Sequence, residues 1–577
     1  MLLPLLALIV VAPLIAHGVS CGHDFEFHLQ SWLDAAAQMR HGTVDPAWTI
    51  SAAWNAGEPR FLFYPPVSWI FGALLSLAMP LSAVPIVFTA AALLGAGITM
   101  YLLARDYAPR AAALLAMAVY MGSPYMLFTA FERTAYGELL AAAWIPLLIR
   151  AALRVKPSIP GIAIPTALLW LTNAPAAVIG IYTLLLIGLV RIALALFPEA
   201  RRSKAMVQML VVRFSAGGVL GLALAAFYLL PAAYERRYVQ VAMAIIANMR
   251  VEDNFLFGHT GDGPHDAVLH TASLIAVAML IAAVIAIAIA FLVRRRDRNY
   301  DESADDRSDD RSAPLLIVAA LTICIAFLLT PVSLPIWHHV PELAFLQFPW
   351  RLLCVIGATL ALTIALALRS IPNLKTTILL LSLVGVAFVG TMTAREIVAF
   401  RQPCEALDVP SARAQLFATH HGVEPTDEYT PIDADNDVLR WDDPGYWLAT
   451  NPAAFAPGTV PNPAAMIVNY DVPPPVSETI SGVAPRHLQL SLLQPEILVL
   501  NLRDFPEWQV FRNGTLLANH LERDDGLLAI AVPAGGSTID VRWHRTWDEW
   551  LGDAISLLAL GMLAVVIVRS RTIKPDA

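Results

Sequence analysis

Two carboxylates and two imidazoles crowd into one short stretch, Gly22-His23-Asp24-Phe25-Glu26-Phe27-His28, directly after the apolar run Leu2 to Val19. Ionisable groups at the edge of a membrane span are costly to place and mark functional positions. A carboxylate beside imidazoles suits proton abstraction from a hydroxyl, or ligation of a hard or borderline metal. If the stretch continues as a helix, Asp24 and His28 share a face while Glu26 points elsewhere. The plainer alternative is a set of polar residues capping the end of a span.

What must position these residues follows from composition. Of 577 residues, 57% are hydrophobic and 15% charged, and the apolar runs approach the roughly 20 residues that cross a bilayer. The chain is therefore expected to be a polytopic α-helical membrane protein. No basic patch with interleaved aromatics is present, which sets nucleic acid aside as a partner. Twelve runs are candidate spans: Leu2–Val19, Ala83–Ala104, Ala111–Phe128, Leu139–Ala152, Gly161–Leu171, Ala176–Leu196, Val211–Leu230, Thr271–Val293, Leu315–Leu329, Leu352–Leu368, Thr376–Val389 and Trp550–Val568. The first is read as a retained span and not a cleaved signal, since no Lys or Arg precedes it.

Short loops rich in Lys and Arg, such as Arg150 to Lys156 and Arg294 to Arg298, orient the chain with those loops in the cytoplasm. Segments 20–82, 231–270 and 394–547 then lie outside. This alternation holds only if Val67 to Met79, which follows Tyr64-Pro65-Pro66, is re-entrant or interfacial and does not span. The acidic segment 297–312 reads as a disordered linker. Residues 1–393 form the expected membrane domain and 394–547 an extracytoplasmic domain, β-rich from about 487; 548–577 supply a final transmembrane helix and tail. Strands are expected at His487–Leu493, Glu496–Asn501, Gln509–Arg512, Thr515–Ala518, Leu527–Val532 and Ser537–Trp543, with Asn513-Gly514 as a hairpin turn in a small β-sandwich.

Cys21 and Cys404 share the expected outer compartment and are free to pair there, whereas Cys324 and Cys354 lie in apolar runs. The same outer face gathers Arg60, Arg133, Arg236, Arg237 and Arg351 against the positive-inside trend. Arginine forks match phosphate oxygens, so an anionic lipid head group or lipid-linked phosphate is the expected ligand. For Arg351 the alternative is snorkelling, and for Arg133 with Glu138 a structural ion pair.

Four motifs together, His23-Asp24, Gly57-Glu58-Pro59-Arg60 running into Phe63-Tyr64-Pro65-Pro66, Arg133-Thr134-Ala135-Tyr136-Gly137-Glu138, and Gln347-Phe348-Pro349-Trp350-Arg351, carry a resemblance. The chain resembles the bacterial membrane proteins labelled "6-pyruvoyl-tetrahydropterin synthase related", close to the YfhO-like group, which in turn resemble the GT-C glycosyltransferases. That resemblance implies a GT-C-like fold, a polyprenyl-phosphate sugar donor, an envelope glycan, lipid or protein acceptor, and a site on the outer face of the bacterial cytoplasmic membrane. It implies Asp24 as base, with Glu26 as a second carboxylate. His28, Arg60, Tyr64, Arg133, Glu138, Arg236 and Arg351 are then the candidate substrate-binding residues. A divalent metal is optional, because cationic side chains can neutralise the same phosphate charge. A flippase for a lipid-linked substrate, with Thr172-Asn173-Ala174-Pro175 as a broken helix, and a non-enzymatic scaffold displaying the β domain are the competing classes.

Overall fold

The structure is a computed structural model that describes residues 2–196, 204–300, 313–449 and 482–572. Each of the twelve apolar runs is helical. Among the described residues, nine helical segments are long and apolar enough to cross a membrane, and a tenth is added if Ala313–Leu328 and Pro331–His339, bent by 92°, form one span. The expected twelve are not reached because Leu2–His17 and Ile159–Thr172 have only 16 and 14 residues. At about 1.5 Å per residue, both fall short of a hydrocarbon core of roughly 30 Å. The architecture is that of a multi-pass membrane protein.

Proline sets many of the helix starts, since its missing N–H costs nothing in a first turn. Pro66–Ala78, Val84–Arg105, Pro124–Phe131, Ile145–Leu153 and Ile159–Thr172 each carry Pro at the first or second position. The segment Pro349–Ala367 runs through the middle of the bundle, with 89% of its apolar window buried, whereas Lys375–Phe400 is 17% buried and peripheral. Arg351 thus stands at the mouth of the most enclosed helix. Asn173 does not break a span: its side chain accepts from the backbone N–H of Ala176 and caps the helix Ala174–Leu196, as expected of Asn in that role.

Phe25–Arg40 forms a helix outside these spans, and the 13-residue helix Pro66–Ala78 packs against it. That helix is too short to cross, in keeping with the re-entrant or interfacial reading of Val67 to Met79. Two boundaries move. The helix begun at Lys375 continues to Phe400, beyond the expected domain edge at 394, and residues 297–300 close the helix Gly263–Tyr300. The rest of the expected linker, 301–312, lies outside the described residues.

Among the described residues, the C-terminal region contains seven strands: β1 Tyr446–Ala449, β2 His487–Leu492, β3 Glu496–Arg503, β4 Trp508–Arg512, β5 Thr515–Leu517, β6 Leu527–Val532 and β7 Gly535–Trp543. They form two antiparallel sheets of order β1-β3-β6 and β2-β7-β4-β5. Asn513 and Gly514 both have positive φ between β4 and β5, as a two-residue primed turn requires. β3 is buried on both faces. Leu498, Leu500 and Leu502 point into the core shared with Ile539 and Val541 of the other sheet, while Ile497 and Val499 point out against Ala53 and Ala56. The period-2 alternation of one strand therefore joins the sandwich core to the loop that carries Ala53 and Ala56.

That loop meets the sheet through an unusual turn. Ala53, Trp54 and Asn55 all adopt left-handed φ, at 50°, 52° and 69°, a conformation costing roughly 1–2 kcal/mol per non-glycine residue. It persists because both sides bind it. Trp54 N–H donates to Val423 O, Arg503 N–H to Ala56 O, and the Asn501 amide to Trp54 O.

Candidate functional site

Segment 20–24 is fixed from several directions. Cys21 and Cys404 form a disulfide, Cys21 N–H donates to Gln402 O, and the Ser20 hydroxyl donates to Phe131 O. Asp24 N–H donates to Arg133 O at 2.9 Å. Gly22 is required at its position, because a Cβ there would lie 1.9 Å from the Glu132 carbonyl oxygen. The backbone of the first loop is thereby held against the segment Glu132 to Thr134, and Asp24 has little freedom to move.

Behind Asp24 lies a buried polar network. Arg133 reaches Glu138 at 2.5 Å and Asp24 at 3.5 Å. Glu138 also accepts from the Tyr125 hydroxyl and faces Arg351 Nε at 3.5 Å. Two arginines and one glutamate leave a formal +1 in a buried site, and Asp24 at its edge is the matching carboxylate. Burial works against the Arg133 charge, but Glu138 and Asp24 outweigh it and hold the guanidinium above its ordinary range. Arg133 also lies over the Trp350 ring at 5.0 Å, and Arg351 over Phe348 at 4.9 Å.

Both arginines are positioned by strained backbone. Thr134, next to Arg133, has φ 47°. Gln347 has φ 60° and ψ −50°, and Phe348 N–H donates to Leu346 O at 2.5 Å, which together define the rare positive-φ γ-turn. This turn directs Leu346 O and Gln347 Oε1 at Arg351 Nη1, at 2.8 and 3.2 Å. Local strain held by its surroundings is characteristic of functional sites.

The other sequence-derived candidates divide. Tyr64 belongs with Asp24: its hydroxyl is pushed above the ordinary tyrosine range by burial first and by the Asp24 charge second, so it remains a neutral donor. His28 sits in an aromatic box of Phe27, Trp32, Tyr64 and Tyr136, where burial lowers its imidazole to about 4. Glu26 turns away and pairs with Arg413 at 2.5 Å. Arg60 is consumed by Glu58 at 2.8 Å, Ser31 and Thr426. Arg236 is exposed and faces Glu342 at 3.6 Å, apart from this network. Tyr125 escaped the sequence reading because it lies inside an apolar run; the helix break at Gly122-Ser123 just before it was the available signal.

A cleft of about 630 Å³ opens farther along the helix Phe25–Arg40, between the external loop and the β-sandwich; its lining includes Asp34, Gln38, His41, Trp48, Arg486 and Trp543. Asp34 is fixed there by Ser51 and by the Ile50 N–H at 3.0 Å.

No protein-family model matches the chain, and no curated protein matches it, so membership of the YfhO-like group is left without support. Among solved structures, the chain is similar to the arabinofuranosyltransferase AftD from mycobacteria, determined by single-particle cryo-EM, at 15% identity and a TM-score of 0.38. The match covers 68% of this chain and 26% of that one, so the chain spans about a quarter of its length. At that level of similarity, the functional reading rests on the geometry around Asp24.

Proposed function

We propose that the chain is a membrane glycosyltransferase using a polyprenyl-phosphate-linked sugar on the extracytoplasmic face of the bacterial cytoplasmic membrane. The observation that carries this reading is Asp24: a half-exposed carboxylate, rigidly mounted, at the edge of a buried network whose formal charge is +1. In the proposed reaction, Asp24 takes the proton of an acceptor hydroxyl as its oxygen bonds to the anomeric carbon. The bond from that carbon to the donor phosphate breaks, and polyprenyl phosphate leaves with its electron pair. Arg133 and Arg351 supply the positive field that the leaving phosphate needs. Tyr64 offers a hydroxyl at the same place.

Two further features support this reading. The Cys21–Cys404 disulfide belongs to an oxidising compartment, which favours an extracytoplasmic position for the first loop and for residue 404. The cleft above the same helix combines indole surface with carboxylate, amide and guanidinium groups, a mixture that suits a saccharide acceptor. The test compares envelope glycans of a strain lacking the gene with strains carrying the wild type or Asp24→Asn. The transferase reading fails if Asp24→Asn, at normal protein level, restores the wild-type glycan.

A further inference from the structure

A second polar cluster lies away from Asp24, where the β-sandwich meets the final membrane helix. Glu235 ends the helix Ala226–Glu235, Glu507 immediately precedes β4, and Asp548 and Glu549 occupy the first turn of the helix Trp547–Thr572. Three elements distant in sequence thus each bring carboxylates to one point. Glu235 and Asp548 are 0% exposed and Glu507 1%. Carboxylate oxygens of Glu235, Glu507 and Glu549 lie within 4.8 Å of one another. Glu235 Oε2, both oxygens of Glu507 and both of Asp548 are buried with no hydrogen-bond donor.

Buried carboxylates without donors are strongly unfavourable, and mutual repulsion adds to the cost. Among the described residues, Arg545 reaches this cluster, and it is taken up by Glu549 at 2.8 Å and Asp553 at 2.9 Å. Thr546 offers its hydroxyl to Glu235 at 3.3 Å and its N–H to Glu549 at 3.2 Å. The dipole of the helix Trp547–Thr572 accounts for acids in its own first turn. It does not account for Glu507 or Glu235, which arrive from elsewhere.

We propose that Glu235, Glu507 and Glu549, with Asp548 beside them, form a binding site for a hard divalent cation. The donor set is all oxygen, without thiolate or imidazole, which selects Ca²⁺, Mg²⁺ or Mn²⁺ over Zn²⁺ or Cu²⁺. Two oxygens bound to one Ca²⁺ at about 2.4 Å can be no more than about 4.8 Å apart, a limit that the three carboxylates satisfy. The ion would fasten the sandwich to both the helix Ala226–Glu235 and the final membrane helix, a structural role separate from the chemistry at Asp24. Burial and the neighbouring acids push the Glu235 carboxyl far up. Shared protons among Glu235, Glu507 and Asp548 are therefore the competing arrangement.

The test uses full-length protein in detergent, stripped with chelator and then titrated with Ca²⁺, Mg²⁺, Mn²⁺ or Zn²⁺. Bound metal is counted after gel filtration, and thermal unfolding is followed in parallel. The expected result is about one tightly held Ca²⁺, Mg²⁺ or Mn²⁺ per chain and a Tm raised by several degrees. Both should be lost in Glu507→Gln and kept in Asp24→Asn. Should Glu507→Gln fail to fold, Glu549→Gln, at a carboxylate that Arg545 and Thr546 also hold, must still weaken binding at least tenfold. The proposal is overturned if folded wild type binds none of these ions stoichiometrically. It is equally overturned if Glu507→Gln binds as tightly as wild type, or if Glu507→Gln is more stable than wild type in saturating Ca²⁺, as proton sharing would have it.

Discussion

The Asp24 carboxylate lies 3.5 Å from the Arg133 guanidinium, with the aspartate side chain 40% exposed and the arginine 5%. One member of the pair meets solvent and the other meets a buried network of Glu138, Tyr125 and Arg351. The pair therefore links a surface position to a charge that cannot move away from it. In the proposed reaction, that exposure is what lets Asp24 reach an acceptor hydroxyl.

Asp24→Asn keeps the shape and the backbone hydrogen bond to Arg133 O but removes the base. Sugar transfer should fall about 10²–10⁴-fold, the usual contribution of a positioned base. Thermal stability should shift little, because a half-exposed pair contributes about 0–1 kcal/mol. Initial rates with a polyprenyl-phosphate sugar and a Tm on the same preparation check both halves. Equal losses in rate and stability would reduce Asp24 to a structural residue.

Charge counting orders the variants of the buried network. Glu138→Gln leaves Arg133 and Arg351 buried with no anion between them and should cost about 3–5 kcal/mol. Arg133→Gln leaves one cation facing Glu138 and should cost less. The double variant Arg133→Gln/Glu138→Gln should be more stable than Glu138→Gln alone, since it removes one of the two facing cations. Denaturation midpoints of the three variants in one detergent decide the order, and the reverse order would refute the net-positive network.

The disulfide between Cys21 and Cys404 spans 383 residues of sequence and holds the segment that carries Asp24. Peptide mapping without reductant should recover the two cysteines linked, with Cys324 and Cys354 as free thiols. Cys21→Ser/Cys404→Ser should lower stability by about 2–4 kcal/mol. Transfer should fall further than the remaining folded fraction explains, because the mount of Asp24 loosens. An unaltered rate per folded molecule would separate the disulfide from the site.

Much of this layout was legible in the sequence, because its signals are local. Among the described residues, apolar runs marked the nine helices long and apolar enough to cross a membrane, and alternation with Asn513-Gly514 marked six of the seven strands. Asp24, Arg133, Glu138 and Arg351 could be gathered as candidates because charge at the end of an apolar run is conspicuous, and Tyr64 because it stands in Phe63-Tyr64-Pro65-Pro66. Their division could not: whether an arginine meets a ligand or a glutamate depends on packing, and Arg60 with its Glu58 partner looks no different in sequence from Arg133. β1 is four residues long beside Pro444 and Gly445, too short to show alternation. The Glu235, Glu507, Asp548 and Glu549 cluster unites positions that no local pattern connects.

His28 provides the last prediction, through pH. Burial lowers its imidazole from 6.5 to about 4, a shift strengthened by Arg60 and Arg133 and opposed by Asp24. Above pH 6.5 the ring is neutral in the folded and unfolded chains alike and contributes no pH dependence. As pH falls from 6.5 towards 4, the unfolded chain takes up a proton that the folded chain refuses, so stability drops with falling pH. The slope reaches about 1.4 kcal/mol per pH unit and the sum about 3 kcal/mol. His28→Phe puts a ring of similar size among Phe27, Trp32, Tyr64 and Tyr136 without the titration. The difference in Tm between pH 7.5 and pH 4.5 should therefore be clearly smaller in the variant, other groups titrating equally in both proteins. The same neutrality means that no rate limb between pH 5 and 8 belongs to His28, and His28→Phe should leave the shape of the pH–rate profile unchanged. An identical Tm loss in wild type and variant would show the imidazole to be hydrated, and would return it to the set of groups able to meet substrate.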